Sequence, residues 1–227
     1  MDFAKPNLDV GLFTNRKDEQ LAFWSNVAGL QFDHTLKLGG GMLQHRFAAH
    51  GAIIKVNDSR SLLPRHVPQP ISRLAIAAPQ SVQPSDCVDP DGNVISLVPP
   101  GHQGITSIAV YLPVKDVSVS SEFFVNALGL ERVREGVLRC GQSLLFLQRA
   151  EQTCAPGDFR ALGLRYLTLQ VVRCDDAHAA ALNAGAREGR PPATLGTTAR
   201  VSFVISPDEL WIELSERASL TGRAVSG

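Results

Sequence analysis

Apolar and polar side chains alternate along this chain in short runs closed by Gly, Pro, Asn or Asp, the pattern of strands bounded by turns. Residues 8–14 (Leu-Asp-Val-Gly-Leu-Phe-Thr) form the first run. The period then changes: Leu21, Phe23, Trp24 and Val27 make a helical stripe, Asn15 to Asp18 supply turn and capping residues, and Gly29 ends a helix from about Glu19 to Ala28. A strand near residues 31–38, a break at Gly39-Gly40-Gly41 and two alternating strands within residues 42–56 complete a β-α-β-β-β order. The triple glycine lacks both the P-loop spacing and the G-x-G-x-x-G form that opens a helix, so it reads as a bend. Residues 57–70 read as a surface connection and residues 71–77 as a strand. Two prolines within residues 78–88 leave that stretch too broken for a helix before the Asp89 turn.

The pattern then repeats. Phe123-Phe-Val-Asn-Ala-Leu-Gly-Leu130 echoes Phe23-Trp-Ser-Asn-Val-Ala-Gly-Leu30 at an offset of 123 − 23 = 100, and Ser206-Pro207-Asp208-Glu209-Leu210-Trp211-Ile212-Glu213-Leu214 echoes Asp89-Pro90-Asp91-Gly92-Asn93-Val94-Ile95-Ser96-Leu97 at 207 − 90 = 117. The second copy is about 17 residues longer, where the first lacks a helix. It reads β (105–112), α (118–128), β (131–139), β (142–148), β (165–172), α (176–184), β (199–205), β (210–215). These patterns divide the chain into a first unit, residues 1–100, with a reduced second half, a complete second unit, residues 104–216, and a tail, 217–227. The expected fold class is α+β: tandem βαβββ-type modules forming two cup-shaped, partly open barrels with helices outside.

Composition narrows the partners. Lys plus Arg and Asp plus Glu both number 22, with no basic run, so nucleic acid and anionic membrane surfaces are not expected partners. No apolar run approaches the roughly 18 residues of a membrane span, and the start of the chain lacks a signal-peptide pattern, so a cytoplasmic location is expected. Cys87, Cys140, Cys154 and Cys174 form no C-x-x-C pair and point to no metal or disulfide framework. A small-molecule ligand remains as the expected partner. The strand edge left by the missing helix offers a route to a homodimer.

Candidate chemistry starts at Glu213, a carboxylate between apolar neighbours on an internal strand, where burial without a partner is costly. Alternation places Trp211, Glu213 and Ser215 on one face and Ile212 and Leu214 on the other. Gln44-His45-Arg46 is the densest polar cluster among the strands, and His45 there is either a proton-transfer group or a hydrogen-bonded structural histidine. His66, His102 and His178 read as surface residues.

The helix ending F-[WFY]-x-x-x-L-G-L and the turn-strand D-P-D-G-N-x-I-E-L, each present twice in register, resemble the vicinal oxygen chelate superfamily, which includes glyoxalase I, bleomycin-resistance proteins and extradiol dioxygenases. The resemblance implies a divalent metal held in the cup by His, Gln or Glu and chelating two substrate oxygens. The corresponding first-strand positions here are Asp9, Arg73, Ser107 and Tyr166, and the closing-strand positions are Ser96 and Glu213. That set offers Glu213 and, weakly, Asp9 as metal ligands, so the usual metal is expected to be absent. Two functions stay open. One is an enzyme of lyase, isomerase or dioxygenase type that acts on a small oxygenated molecule in the cup of the second unit. There Glu213, Tyr166 and His45 would be catalytic, and Ser107, Gln148, Trp211, Arg73 and Gln44 would hold ligand. The other is a metal-free protein that sequesters a small molecule.

Overall fold

The computed structural model describes residues 1–65, 68–153, 157 and 159–225; His66 and Cys154 lie outside the described residues. Four modules follow one another. The first is β1 (Phe3–Thr14), α1 (Lys17–Ala22, continued by a π-helical turn over Phe23–Val27), β2 (Gln31–Gly39), β3 (Met42–Ala49) and β4 (Ala52–Ser59). The second is β5 (Arg73–Ala77), β6 (Ser85–Val88) and β7 (Val94–Val98), without a helix among the described residues. Next come β8 (Ile108–Val114), α2 (Val117–Asn126), β9 (Glu131–Arg134), β10 (Val137–Cys140) and β11 (Ser143–Arg149). The last is β12 (Gly163–Val171), α3 (Cys174–Asn183), β13 (Arg187–Leu195), β14 (Ala199–Ile205) and β15 (Trp211–Arg217), followed by α4 (Ala218–Thr221).

The modules do not pair in chain order. An eight-stranded sheet runs β13-β14-β15-β12-β1-β4-β3-β2, and a seven-stranded sheet runs β6-β7-β5-β8-β11-β10-β9. The first module therefore shares a sheet with the fourth, and the second with the third. β1 lies antiparallel to β12, with Asp9 opposite Thr168 and Gly11 opposite Tyr166. The cup expected inside residues 104–216 is thus corrected to one shared by the two ends of the chain. Each module leaves its first strand with an open edge, and the sequence does not say which other first strand will cover it.

Three details follow from local chemistry. β13 carries Pro191 and Pro192 and forms a sheet edge, with a register shift between Arg190 and Ala193; prolines without N–H groups fit there and hide the strand from pattern reading. The strand expected over residues 131–139 divides into β9 and β10 around Gly136, whose φ of 68° a side-chain-bearing residue resists. The Pro-Asp turns act as anchors. Asp89 and Asp91 accept from Gln20 Nε2 on α1 at 2.9 and 2.8 Å, and Gln20 Oε1 accepts from the Trp24 indole. Asp208 accepts from the Lys115 N–H at 2.9 Å and the Ser120 hydroxyl at 2.5 Å, at the start of α2.

The core forms where the sheets meet the helices. Val10, Leu12, Ile54, Leu167, Ile212 and Leu214 are buried in one cluster with Trp24 and Phe123. The opposite, concave face differs between the sheets. In the seven-stranded sheet it is filled by Ala75, Ala77, Ala109, Val137, Leu144 and Phe146, with Tyr111 stacked on Phe146 at 4.8 Å. In the eight-stranded sheet it carries a row of polar side chains beside an aromatic cluster that includes Phe13, Tyr166 and Phe203.

Candidate active site

Period-two alternation carries a row of polar side chains into the concave face of the eight-stranded sheet. The apolar neighbours Ile54, Val56, Leu167, Leu169, Ile212 and Leu214 point to the core, so Lys55, Thr168 and Glu213 point into the cup. Lys55 has no exposed surface. Its Nζ donates to Glu213 Oε2 at 2.6 Å and to Thr168 Oγ1 at 2.7 Å, and the Thr168 hydroxyl donates to the same carboxylate oxygen at 2.6 Å. Both donors converge on Oε2, which leaves Glu213 Oε1 without a partner among the described residues.

Above this belt lies Tyr166. Its ring crosses β1 at Gly11, where a Cβ would stand 2.0 Å from Tyr166 Cε1, so the ring position requires glycine. The Tyr166 oxygen accepts from Asn57 Nδ2 at 3.1 Å and from Gln44 Nε2 at 3.5 Å. Its own proton is then directed to the cavity, with no acceptor among the described residues. Aromatic rings form the wall: Phe159 lies 5.4 Å from Phe13, 4.9 Å from Phe203 and 4.9 Å from Trp211, centroid to centroid. The cavity is about 330 Å³, with Tyr166, Gln44, Asn57, Glu213 and Arg217 among its lining residues and Arg160 and Arg190 beside them.

The charges are set by burial against partners. Burial lowers the Lys55 pKa to about 8, although Glu213 and Asp9 oppose the shift. Burial alone would push the Glu213 carboxyl up, but the Lys55 ammonium, the Arg217 guanidinium and the two hydrogen bonds outweigh it and hold its pKa below the ordinary 4.5. The pair is therefore ionised at neutral pH. Burial pushes the Tyr166 phenol up, so Tyr166 stays protonated and serves as a hydrogen-bond donor. Asp9 is fully buried and engaged: it accepts from Lys5 Nζ at 2.6 Å, the Ile53 N–H at 2.9 Å and Gln170 Nε2 at 2.9 Å.

The structure brings Glu213, Tyr166, Gln44 and Asp9 to this sheet face, and Trp211 stands behind the aromatic wall, donating from Nε1 to the Gly157 carbonyl at 3.1 Å. Other expected residues lie elsewhere. His45 pairs with Val56 across β3 and β4, so it takes the core side of β3, opposite Gln44, and bonds Thr35 Oγ1 at 2.9 Å. Arg73 sits on the seven-stranded sheet against Asp86 and over the Tyr111 ring. Ser96 donates to Asp86 at 2.5 Å, and Ser107 donates to the Ala49 carbonyl at 3.2 Å. Gln148 is exposed on β11. None of these four approaches Glu213, because the second and third modules build the other sheet. His178, expected at the surface, is buried with Nε2 3.1 Å from Glu188.

Lys55 was missed by pattern reading. Its signal is positional. Gly11, two residues after Asp9, pairs with Lys55 on β4, and Thr168, two residues after Tyr166, pairs with Glu213 on β15. Lys55 and Glu213 therefore occupy equivalent closing-strand positions of the two modules; of the positions where the resemblance places metal ligands, Asp9, Tyr166 and Glu213 lie on this sheet, and Lys55 stands with them. These residues do not fit a divalent ion. One is an ammonium already bonded to the carboxylate, one is a neutral phenol, and Asp9 is saturated. A divalent ion about 4 Å from the ammonium would be repelled by roughly 8 kcal/mol at an effective dielectric near 20. Among the described residues no cluster of three His, Cys, Asp or Glu side chains is placed to hold a metal.

Residues 104–214 match the sequence profile of the Glyoxalase/Bleomycin resistance protein/Dioxygenase superfamily. No curated protein matches the chain in sequence. Glyoxalase I from Zea mays is similar in structure, with a TM-score of 0.75 over 92% of this chain and 92% of that one, at 13% sequence identity. A point mutant of the same maize enzyme also reaches 0.75, over 99% and 96% of the two chains, at 12% identity. At such identity the likeness is one of fold. No helix among the described residues is long and apolar enough to cross a membrane.

Proposed function

We propose that this chain, whose residues 104–214 match the Glyoxalase/Bleomycin resistance protein/Dioxygenase superfamily, binds a small planar molecule with two adjacent oxygens in the cup of the eight-stranded sheet, with the Lys55 ammonium standing where a chelated metal would. The observation that carries the reading is the position of Lys55, equivalent to Glu213 and bonded to it at 2.6 Å. A cavity of about 330 Å³ lies at the small end of ligand sites, and its aromatic wall suits a planar ring. One ligand oxygen accepts from Tyr166 Oη, while Lys55, which has no exposed surface, acts by holding the Glu213 carboxylate ionised and in place. A hydroxyl on the neighbouring carbon donates to Glu213 Oε1. Titration calorimetry with catechol, guaiacol and phenol tests this. Catechol is expected to bind tightest and to weaken in Lys55→Met. Equal affinity for phenol and catechol, or binding indifferent to Lys55, overturns the reading.

A second reading, proton transfer beside a carbonyl as in a lyase or isomerase, is favoured by the Lys55 pKa of about 8, which lets the ammonium release a proton near neutrality. In it Tyr166 would polarise the carbonyl and Glu213 Oε1 would receive the carbon-bound proton. Its mark is exchange of that hydrogen with deuterated solvent, absent in Glu213→Gln.

A further inference from the structure

The concave face of the eight-stranded sheet continues below the Lys55 belt. Along β3 the inward residues are Gln44 and then Arg46; along β12, Tyr166, Thr168 and then Gln170; along β15, Glu213, Ser215 and then Arg217. Arg46, Gln170 and Arg217 line a second cavity of about 520 Å³, which opens near Lys5, Asp33, His34 and the start of α4. Arg217 lines both cavities.

We infer that this second cavity is an oxyanion site, in which the guanidinium groups of Arg46 and Arg217 receive the carboxylate or phosphate group of a small organic ligand. Arg46 is only 7% exposed, and among the described residues its one side-chain hydrogen bond runs from Nη1 to Gln44 Oε1 at 3.0 Å. Neither arginine has a carboxylate within ion-pair distance among the described residues. Among the described residues, the Nε atoms of Arg46 and Arg217, Gln170 Oε1 and Ser215 Oγ are all buried without a hydrogen-bond partner. Buried donors of this kind are normally satisfied, and two guanidinium groups sharing a cavity repel each other unless an anion lies between them. Asp9, Glu213 and Asp33 act on Arg46 from beyond ion-pair distance and do not offset its burial. Lys5 is committed to Asp9, and the one lining carboxylate, Asp33, stands beside His34 with Oδ2 3.0 Å from Nδ1. Burial, followed by the neighbouring Arg217, lowers the Arg46 pKa, the direction expected of a cation whose counter-ion is missing. The unpartnered Gln170 Oε1 adds an acceptor, so an oxyanion carrying a hydroxyl fills the site more completely than a bare one.

The inference does not rest on the proposed use of the upper cavity: the two share Arg217, but Arg46 and Gln170 line only the second. Its test is titration of the full chain with inorganic phosphate, acetate and glycolate at constant ionic strength against a chloride background. Saturable binding is expected for at least one probe, with phosphate against acetate deciding which oxyanion is preferred and glycolate exceeding acetate if Gln170 takes part. Arg46→Gln and Arg217→Gln should each weaken binding about tenfold to a hundredfold, the loss of one charge-assisted hydrogen-bonded contact. Ser219→Asp adds a carboxylate at the exposed rim of the cavity without touching the core, and should also weaken binding; it decides the matter if Arg46→Gln does not fold. Arg149→Gln, at the exposed end of β11 in the other sheet, removes the same net charge and should leave binding unchanged. No saturable binding to any probe overturns the inference, and so does weakening in Arg149→Gln equal to that in Arg217→Gln.

Discussion

Replacing Lys55 by Met examines the arrangement on which the cup is built. Met fills a similar volume without charge, so the variant removes the bonds to Glu213 Oε2 and Thr168 Oγ1, at 2.6 and 2.7 Å, and little packing. Removing one partner of a buried ion pair costs about 3–5 kcal/mol, because the remaining charge keeps its desolvation and loses its compensation. For a chain of this size each kcal/mol moves Tm by about 2–4 °C, so a fall of about 6–20 °C is expected. The pH dependence has a definite sign. In the native protein Glu213 titrates below its ordinary 4.5, so its contribution is present above that value and is lost as pH falls through the lowered folded pKa. In Lys55→Met burial prevails over Arg217 and Thr168, the folded carboxyl pKa rises, and the deficit shrinks as the medium is acidified and Glu213 becomes neutral. Glu213→Leu alone should be similarly destabilising, since it strands the ammonium. The double variant Lys55→Met/Glu213→Leu should recover most of the loss or exceed the native stability by about 1–4 kcal/mol. Urea unfolding of the four proteins at neutral and mildly acidic pH supplies the cycle. A loss under about 1 kcal/mol in Lys55→Met, or additive effects in the double variant, would refute the pairing.

Three further outcomes are expected. Gly11→Ala drives a methyl to within 2.0 Å of the Tyr166 ring and should displace it, costing about 1–3 kcal/mol in urea unfolding and abolishing catechol binding; retention of both would show that β1 can shift aside. Tyr166→Phe keeps the wall but removes the donor, and should weaken catechol about two- to tenfold in calorimetry, the worth of one hydrogen bond, while phenanthrene-like apolar probes are unaffected. Lys55→His replaces the cation by a neutral donor beside Glu213 and should let the cup take up Co²⁺, seen as visible d–d absorption that the native protein lacks; no absorption in the variant would count against Lys55 standing at a metal position.

Much of the fold was legible because its signals are local. Helical stripes ending in Gly-Leu, paired Pro-Asp turns and period-two alternation identified the modules and the missing helix of the second one. β13 was lost because Pro191 and Pro192 contradict a strand pattern that only an edge tolerates. Pairing between modules was not legible, since it depends on which open strand edge meets which. That one uncertainty explains most errors at the site. Arg73, Ser96 and Ser107 hold family positions, and Gln148 was expected to hold ligand, but all four belong to the modules of the other sheet, whose concave face is closed by alanine, valine, leucine and phenylalanine. His45 failed for a separate reason, since a one-residue change of register sends a strand side chain to the opposite face.

Lys55 shows how a charge can hide in a strand. Ala52-Ile53-Ile54-Lys55-Val56 reads as an apolar run with one stray cation, whose ordinary explanation is a solvent-facing edge. The lysine becomes informative only when β1 lies between β4 and β12, because Lys55 and Glu213 then stand across the same cup at equivalent positions. A carboxylate in one module opposite a cation in the other changes what the cup can select. A metal ion accepts lone pairs from any direction its coordination leaves open, whereas a fully buried ammonium acts on a ligand only through the carboxylate it holds. Ligand choice must then come from hydrogen-bond geometry at Tyr166 and Glu213 Oε1 and from the aromatic wall. Losing the Lys55 proton near pH 8 leaves Glu213 with Thr168 and Arg217, so affinity for a ligand that donates to Glu213 should change through that pH.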